Sequence, residues 1–229
     1  MKKTLKVAMI KSLPIMAGYI VLGFGFGIIS QKNGYGIFWA LAMSVFIYAG
    51  SMQYVTVSLL SSGATLIATA LTTLMVNARH LFYGISMIES YRKVGKWNPY
   101  LIFGLTDETY SLVCSGEAPE GLDFHKYSFF VTLFNHIYWI TGSALGVLAG
   151  SVITFNTAGV DFAMTALFIT VFVEQWKSTR NHIPALIGVA ASIVCLIIFG
   201  SENFLIPAMV CISVTLCVGR KSIVEKGEL

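Results

Sequence analysis

The chain has 229 residues, 56% of them hydrophobic and 11% charged, with 15 Lys and Arg against 11 Asp and Glu for a formal net charge of +4. Soluble domains carry about 25% charged residues, so this composition and a mean hydropathy of +0.76 exclude an ordinary soluble protein and imply an integral membrane protein. The apolar runs are roughly 15 to 25 residues long, which suits helices crossing a hydrocarbon core and not the short alternating strands of a barrel.

The expected fold class is all-α: a polytopic transmembrane helix bundle of about seven to eight hydrophobic segments in one domain covering residues 1–229. The basic start, with Lys2, Lys3, Lys6 and Lys11 inside residues 1–12, reads as a cytoplasmic anchor. It leads into a long apolar run without a small-residue cleavage site, so it is not a cleavable signal peptide. The first segment, Leu13 to Ile29, carries Gly23 and Gly27 four residues apart, a spacing that lets helices approach closely. The second, Ile37 to Leu60, is interrupted by Ala49-Gly50-Ser51, with Gln53 within one turn. The third, Ala64 to Ile88, encloses the polar run Asn77-Ala78-Arg79-His80, and the basic residues Arg92, Lys93 and Lys96 follow it.

Tyr100 to Cys114 contains Thr106-Asp107-Glu108, and an acidic loop with Glu117, Glu120 and Asp123 comes next. Ser128 to Ile153 carries Gly142, Gly146 and Gly150, again four apart. The remaining segments are Phe162 to Val173, preceded by Asp161 and closed by Glu174, then Pro184 to Phe199 and Phe204 to Val218. Arg220, Lys221 and Lys226 make residues 220–229 a basic cytoplasmic tail. Trp97, Tyr100, Tyr127 and Trp176 fall at segment ends, as interfacial aromatics do.

The positive-inside rule puts the N-terminus, the Arg92 loop and the tail in the cytoplasm and the acidic loop outside. Simple alternation of three crossing segments would place the Arg92 loop outside, so one of the three does not cross fully. The second, broken at Ala49-Gly50-Ser51, is expected to enter and return as a hairpin. The same device at Phe162 to Val173 would bring Lys177, Arg180 and the tail to one side. Two broken elements in corresponding halves point to an inverted-repeat transporter with its site at mid-membrane.

Arg79 is the residue that most needs an explanation. A guanidinium at bilayer depth costs from about 3 to above 10 kcal/mol and persists only beside a partner, a cavity or a substrate. A membrane site for a free amino acid needs a cation for the carboxylate, acceptors for the ammonium and an apolar pocket. Arg79 suits the carboxylate, and Asp107 or Glu108 the ammonium; Gly50, Ser51, Gln53, Asn77 and Thr106 add neutral contacts. Alternatively, Arg79 pairs with Asp107 or Glu108 to hold two helices together. Asp107, Glu108 and His80 are the candidates for proton coupling, and a packing role is the competing reading of His80.

Metal and enzyme chemistry find no foothold in the sequence. Cys114, Cys195, Cys211 and Cys217 form no Cys-x-x-Cys pair, and His136 and His182 lack a second ligand one turn away. No His-Glu-x-x-His, Gly-x-Ser-Gly or phosphate-binding loop is present. The chain is therefore expected to be neither an enzyme nor a self-contained ATP-driven pump, to hold no metal or cofactor, and to have no nucleic-acid partner.

Taken in order, Phe24-Gly25-Phe26-Gly27, Tyr48-Ala49-Gly50-Ser51-Met52-Gln53, Asn77-Ala78-Arg79-His80-Leu81-Phe82-Tyr83-Gly84, Gly104-Leu105-Thr106-Asp107-Glu108, Trp139-x-x-Gly142 and Asp161-Phe162-Ala163 form a specific set. From about Pro14 to Val218 the chain resembles the AzlC-type branched-chain amino acid permease family, the large subunits of branched-chain amino acid exporters. The resemblance implies a multi-pass inner-membrane protein that works with a small hydrophobic AzlD-type subunit. It implies export of valine, leucine, isoleucine or methionine at the expense of the proton motive force. An importer of the same substrates, a channel and a structural subunit are the alternative readings.

Overall fold

Helix α1 spans Lys2–Lys32, about 45 Å at the standard rise, and the basic N-terminal residues form its first turns. The computed structural model describes residues 1–92, 95–152, 169, 172–173, 176–177 and 181–227; Lys93, Asp161, Phe162, Ala163, Glu174 and Arg180, and with them the expected break after Asp161, lie outside these. The chain forms two compact units, Met1–Met164 and Thr165–Leu229. Among the described residues there are nine α-helices and no strand.

In the first unit two of the expected segments are each split into a pair of helices. Ile37 to Leu60 becomes α2 (Ile37–Phe46) and α3 (Gly50–Ser61), parted at Ile47, Tyr48 and Ala49. Tyr48 takes a left-handed φ of 45°, uncommon for a residue with a side chain, and the helix cannot continue through it. Its ring lies 4.2 Å from that of His136, which holds it in place. The α2–α3 pair turns back on itself. α2 starts at the Lys32 end of α1, and at the far end of α3 Ser61 Oγ donates to Asn33 Oδ1 at 2.9 Å, so the hairpin returns to where it began.

Long helix α4 (Leu66–Arg92) then runs back alongside. Met87 and Tyr91 near its end share an apolar cluster with Ala8 of α1, which fixes α4 antiparallel to α1. A second hairpin follows, and here the structure differs from the continuous segment expected over Tyr100 to Cys114. α5 (Asn98–Phe103) stops at Gly104, and α6 (Asp107–Val113) restarts with Thr106 as its N-cap, Oγ1 accepting from the Thr109 amide at 3.3 Å. Tyr110 Oη accepts from Ser86 Oγ of α4 at 3.1 Å, and a side chain at Gly116 would fall 2.8 Å from Ser90 Oγ, so α6 also ends where α5 began.

The first unit thus repeats one pattern in opposite directions: α1 with its hairpin at one end, α4 with its hairpin at the other. The acidic stretch from Glu117 to Asp123 lies beside Ser90 and Tyr91, at the Arg92 end, and not at the opposite end as the charge rule led us to expect. The correction has a simple cause: α5–α6 returns and does not cross, so the loops on either side of it share a face.

α7 (Phe124–Val152) closes the unit by packing parallel to α1 through the spaced glycines. A Cβ at Gly23 would lie 2.9 Å from the Trp139 carbonyl oxygen, one at Gly27 would overlap that of Ser143, and one at Gly146 would overlap that of Phe24. Only the missing side chains let the two backbones touch.

In the second unit, α8 (Ile183–Asn203) packs on α9 (Leu205–Gly227), and Gly200, with φ 73° and ψ 170°, interrupts the helical backbone near the end of α8. α9 continues through residues 220–227, which the sequence reading had made a separate tail. By length and composition, Lys2–Lys32 and Ile183–Gly200 suffice to cross a membrane.

Two outcomes follow from this arrangement. Replacing Gly146 with Val overpacks the α1–α7 contact and should lower stability by about 1–3 kcal/mol, read as a fall in the melting temperature of the solubilised protein, whereas Gly188→Ala, with open space around it, should not. In a background without the native cysteines, Lys96→Cys and Glu117→Cys should react with an impermeant maleimide from one face of the membrane and Ser62→Cys from the other. Opposite labelling of the first two would overturn the second hairpin.

Candidate functional site

The tips of the two hairpins meet at the middle of α4. Arg79 pairs through Nη1 with Asp107 Oδ2, from the first turn of α6, and its Nη2 donates to Ser51 Oγ, from the first turn of α3, at 2.8 Å. The pair is only partly enclosed, with side chains 27% and 14% exposed. One guanidinium therefore draws one group from each break, which its planar fork of donors allows and a lysine ammonium would not reproduce. Asp107 Oδ1 and Asn77 Oδ1 are buried with no hydrogen-bond partner beside this pair.

Helix N-termini carry partial positive charge. α3, whose first residue is Gly50, points that end at a site holding Arg79 and Asp107, with Glu108 in the same first turn of α6.

Glu108 belongs to a different set of contacts. Its Oε2 accepts from Tyr19 Oη of α1 at 2.7 Å, and the same Oη lies 2.7 Å from Thr106 Oγ1. Thr106 Oγ1 is 3.1 Å from Thr109 Oγ1, which accepts from Asn135 Nδ2 of α7 at 3.0 Å. Gln53 is also away from Arg79. It is fully buried, donates to Ser44 Oγ at 3.2 Å and accepts from Trp139 Nε1 at 2.8 Å, tying α3 to α2 and α7. Gly50 leaves room for the Trp139 ring, which a Cβ there would approach to 2.9 Å.

His80 contacts neither member of the ion pair through a hydrogen bond. Its Nδ1 lies 3.2 Å from the Asn77 carbonyl oxygen of its own helix, and its ring borders a cavity of about 520 Å³ between α4 and α5, lined also by Leu81, Gly84, Met87, Ile102 and Leu105. The walls of this cavity are mostly apolar. Among the described residues no group of three His, Cys, Asp or Glu could hold a metal ion, and all four cysteines are free.

Sequence reasoning missed Tyr19, Asn135 and the part played by His136. His136 Nε2 lies 3.1 Å from the carbonyl oxygen of Ser44, in the last turn of α2, where the Tyr48 amide turns to Met43 instead, and its Nδ1 lies 3.2 Å from Tyr100 Oη. One imidazole so joins both hairpins to α7. No short motif announces these residues; Tyr19 stands by itself in one apolar run and Asn135-His136 is an adjacent polar pair in another, and that alone is the available signal.

The family described as AzlC protein matches residues 14–153, which include every residue of this site. The branched-chain amino acid transport protein AzlC of Bacillus subtilis (strain 168) is 45% identical over 95% of this chain and 85% of its own length. An uncharacterized membrane protein of Helicobacter pylori (strain ATCC 700392 / 26695) is 41% identical over 96% of this chain and 97% of its own length. The inner membrane protein YgaZ of Escherichia coli (strain K12) is 27% identical over 80% of this chain and 78% of its own length. No solved structure matches the chain.

Because Gln53 links three helices and not the ion pair, its replacement should be a stability change. Gln53→Leu leaves Trp139 Nε1 without its acceptor and should lower unfolding stability by about 1–3 kcal/mol, measured by thermal unfolding in detergent; an unshifted melting temperature would refute the structural assignment.

Proposed function

This chain belongs to the AzlC family, and from that premise we propose that it is a secondary transporter of branched-chain or similar apolar amino acids. The observation that carries the reading is Arg79 held between the tips of two hairpins by Ser51 and Asp107. Broken helices meeting at a charged residue are how membrane transporters bind a polar ligand at mid-depth, since irregular backbone is tolerated there only where protein or a water-filled cavity satisfies it.

In this reading the substrate carboxylate approaches the guanidinium and the first turn of α3, with Gly50, Ser51 and Asn77 around it. The ammonium goes to Asp107, which also faces Tyr83 of α4. The apolar side chain enters the cavity beside Leu105, the residue two before Asp107. Binding then loosens the Arg79–Asp107 pair by competing for both partners, so the two hairpin tips separate when substrate arrives. An ion pair that substrate can divide is a gate as well as a binding site.

The finer parts of the proposal rest on the resemblance: a multi-pass protein of the inner membrane with a cytoplasmic N-terminus, export driven by the proton motive force, and a small hydrophobic AzlD-type partner subunit. The basic residues of α1 and of the Arg92 region lie at one end of the first unit, which agrees with a cytoplasmic N-terminus under the positive-inside rule. The direction of flux is a matter for measurement, and an importer using the same site is the second reading.

The test is valine, leucine and isoleucine counterflow in proteoliposomes, with and without the small subunit. Wild-type protein should show saturable counterflow, and Arg79→Lys and Arg79→Ala should each reduce it by about tenfold or more, because a point charge does not replace the fork that spans Ser51 and Asp107. Normal counterflow in both variants would refute the site; non-saturating flux in the wild type would favour a channel.

A further inference from the structure

We propose that Glu108 takes up and releases the coupled proton, and that the proton reaches it through Tyr19 and Thr106 from a buried polar seam on α7, separate from the Arg79–Asp107 pair. The proposal rests on the transporter reading above and divides the two neighbouring carboxylates between two tasks.

Consecutive residues on a helix point about 100° apart, and here Asp107 turns to Arg79 while Glu108 turns to Tyr19. Asp107 is engaged by the charged guanidinium of Arg79, whereas the hydrogen-bond partner of Glu108 is a neutral hydroxyl. Tyr19 Oη donates to the carboxylate and, after rotation of its O–H, accepts from the carboxylic acid, so both protonation states keep a hydrogen bond. The other titratable or charged groups facing Glu108 are Tyr48 at the first hairpin tip, Arg79 and Tyr83 on α4, and Asp107 beside it.

From Tyr19 the hydroxyls continue inward: Thr106 Oγ1 at 2.7 Å, then Thr109 Oγ1 a further 3.1 Å on, held by Asn135. Asn135, Thr132 and Ser128 lie on one face of α7, each with no exposed surface, and Asn135 Oδ1, Thr132 Oγ1 and Ser128 Oγ have no protein partner. Buried polar atoms of this kind are where ordered water binds. The row covers about 10 Å along the helix and ends at Ser128, roughly one turn from the start of α7, at the end where α1 begins. Gly104 sets the second hairpin directly on it, since a Cβ there would overlap Thr132 Cγ2.

Transfer along the row conserves protons. In this structure Thr106 Oγ1 donates to Thr109 Oγ1, so uptake begins with rotation of both hydroxyls; a proton arriving at Thr109 Oγ1 then displaces that hydroxyl's own proton to Thr106, the Thr106 proton passes to Tyr19, and the Tyr19 proton passes to Glu108 Oε2. The carboxylate becomes a neutral acid and every hydroxyl is restored, and release runs the same steps backwards.

Full-length protein in proteoliposomes tests this with two fluxes, valine movement driven by an imposed pH gradient and valine counterflow at equal pH. Glu108→Gln, Tyr19→Phe and Thr132→Val should each cut the gradient-driven flux by about tenfold or more while counterflow stays within about threefold of wild type. Unchanged gradient-driven flux in any of the three, or loss of both fluxes in a variant that elutes and melts like wild type, overturns the path. A wild-type protein that exchanges valine but moves no protons overturns the proton assignment and leaves the transport reading standing, whereas one that moves no valine overturns the transport reading itself; both outcomes are seen before any variant is made. Should a variant fail to fold, carbodiimide labelling of the wild type followed by peptide mass spectrometry decides: modification of Glu108 in preference to Asp107 supports the assignment, and modification of Asp107 alone or of neither refutes it.

Discussion

A guanidinium in the middle of an apolar helix is the constraint around which the first unit is organised. Arg79 cannot be satisfied by its own helix, whose backbone groups are used internally, so its partners must come from other elements. Side chains on unbroken neighbours would supply them only from a flank. Breaking two segments brings the first turns of α3 and α6 to the same depth, where Ser51 and Asp107 meet the two ends of one fork. Each break frees backbone groups that must also be satisfied, and the surrounding polar residues do this: His136 for the Ser44 carbonyl, Thr106 for the Thr109 amide.

The glycine contact between α1 and α7 is the second half of this construction. Ordinary side chains keep helix axes 8–10 Å apart; glycines on both helices let the backbones touch. That closeness puts Tyr19 of α1 and Asn135 and Trp139 of α7 around the same hairpins, so the groups that reach Glu108, Thr109 and Gln53 come from a rigid pair.

Much of this was legible in the sequence, for physical reasons that can be named. Gly-x-x-x-Gly spacing reads directly as close packing, and Gly50-Ser51 inside an apolar run reads as a break. The second break was equally written in the chain, since Gly104 followed by Thr106-Asp107-Glu108 is a helix stop followed by a helix start, with an N-cap and two acids in the first turn. Read only as a charged cluster, it gave a continuous segment, and the acidic loop went to the wrong end. Gln53 was grouped with Arg79 by proximity in sequence to Ser51, but on a helix two residues' separation turns a side chain to another face. Tyr19 and Asn135 were beyond reach, because a single polar side chain in a membrane helix acquires meaning only from the partner opposite.

The adjacency of Asp107 and Glu108 gives the site its economy. In the proposed mechanism a substrate zwitterion and a proton influence each other without occupying the same group, and two carboxylates on consecutive residues of one short helix would allow this through position alone. When the Arg79–Asp107 pair opens, α6 is released at its first turn, and Glu108 sits in that turn. Any shift of the helix that serves Asp107 therefore alters the distance between Glu108 and Tyr19, whose ring is fixed edge-on against Trp139, with centroids 5.5 Å apart. In the proposed mechanism coupling needs no long pathway, because one short helix, α6, carries both the carboxylate assigned to substrate and the one assigned to the proton.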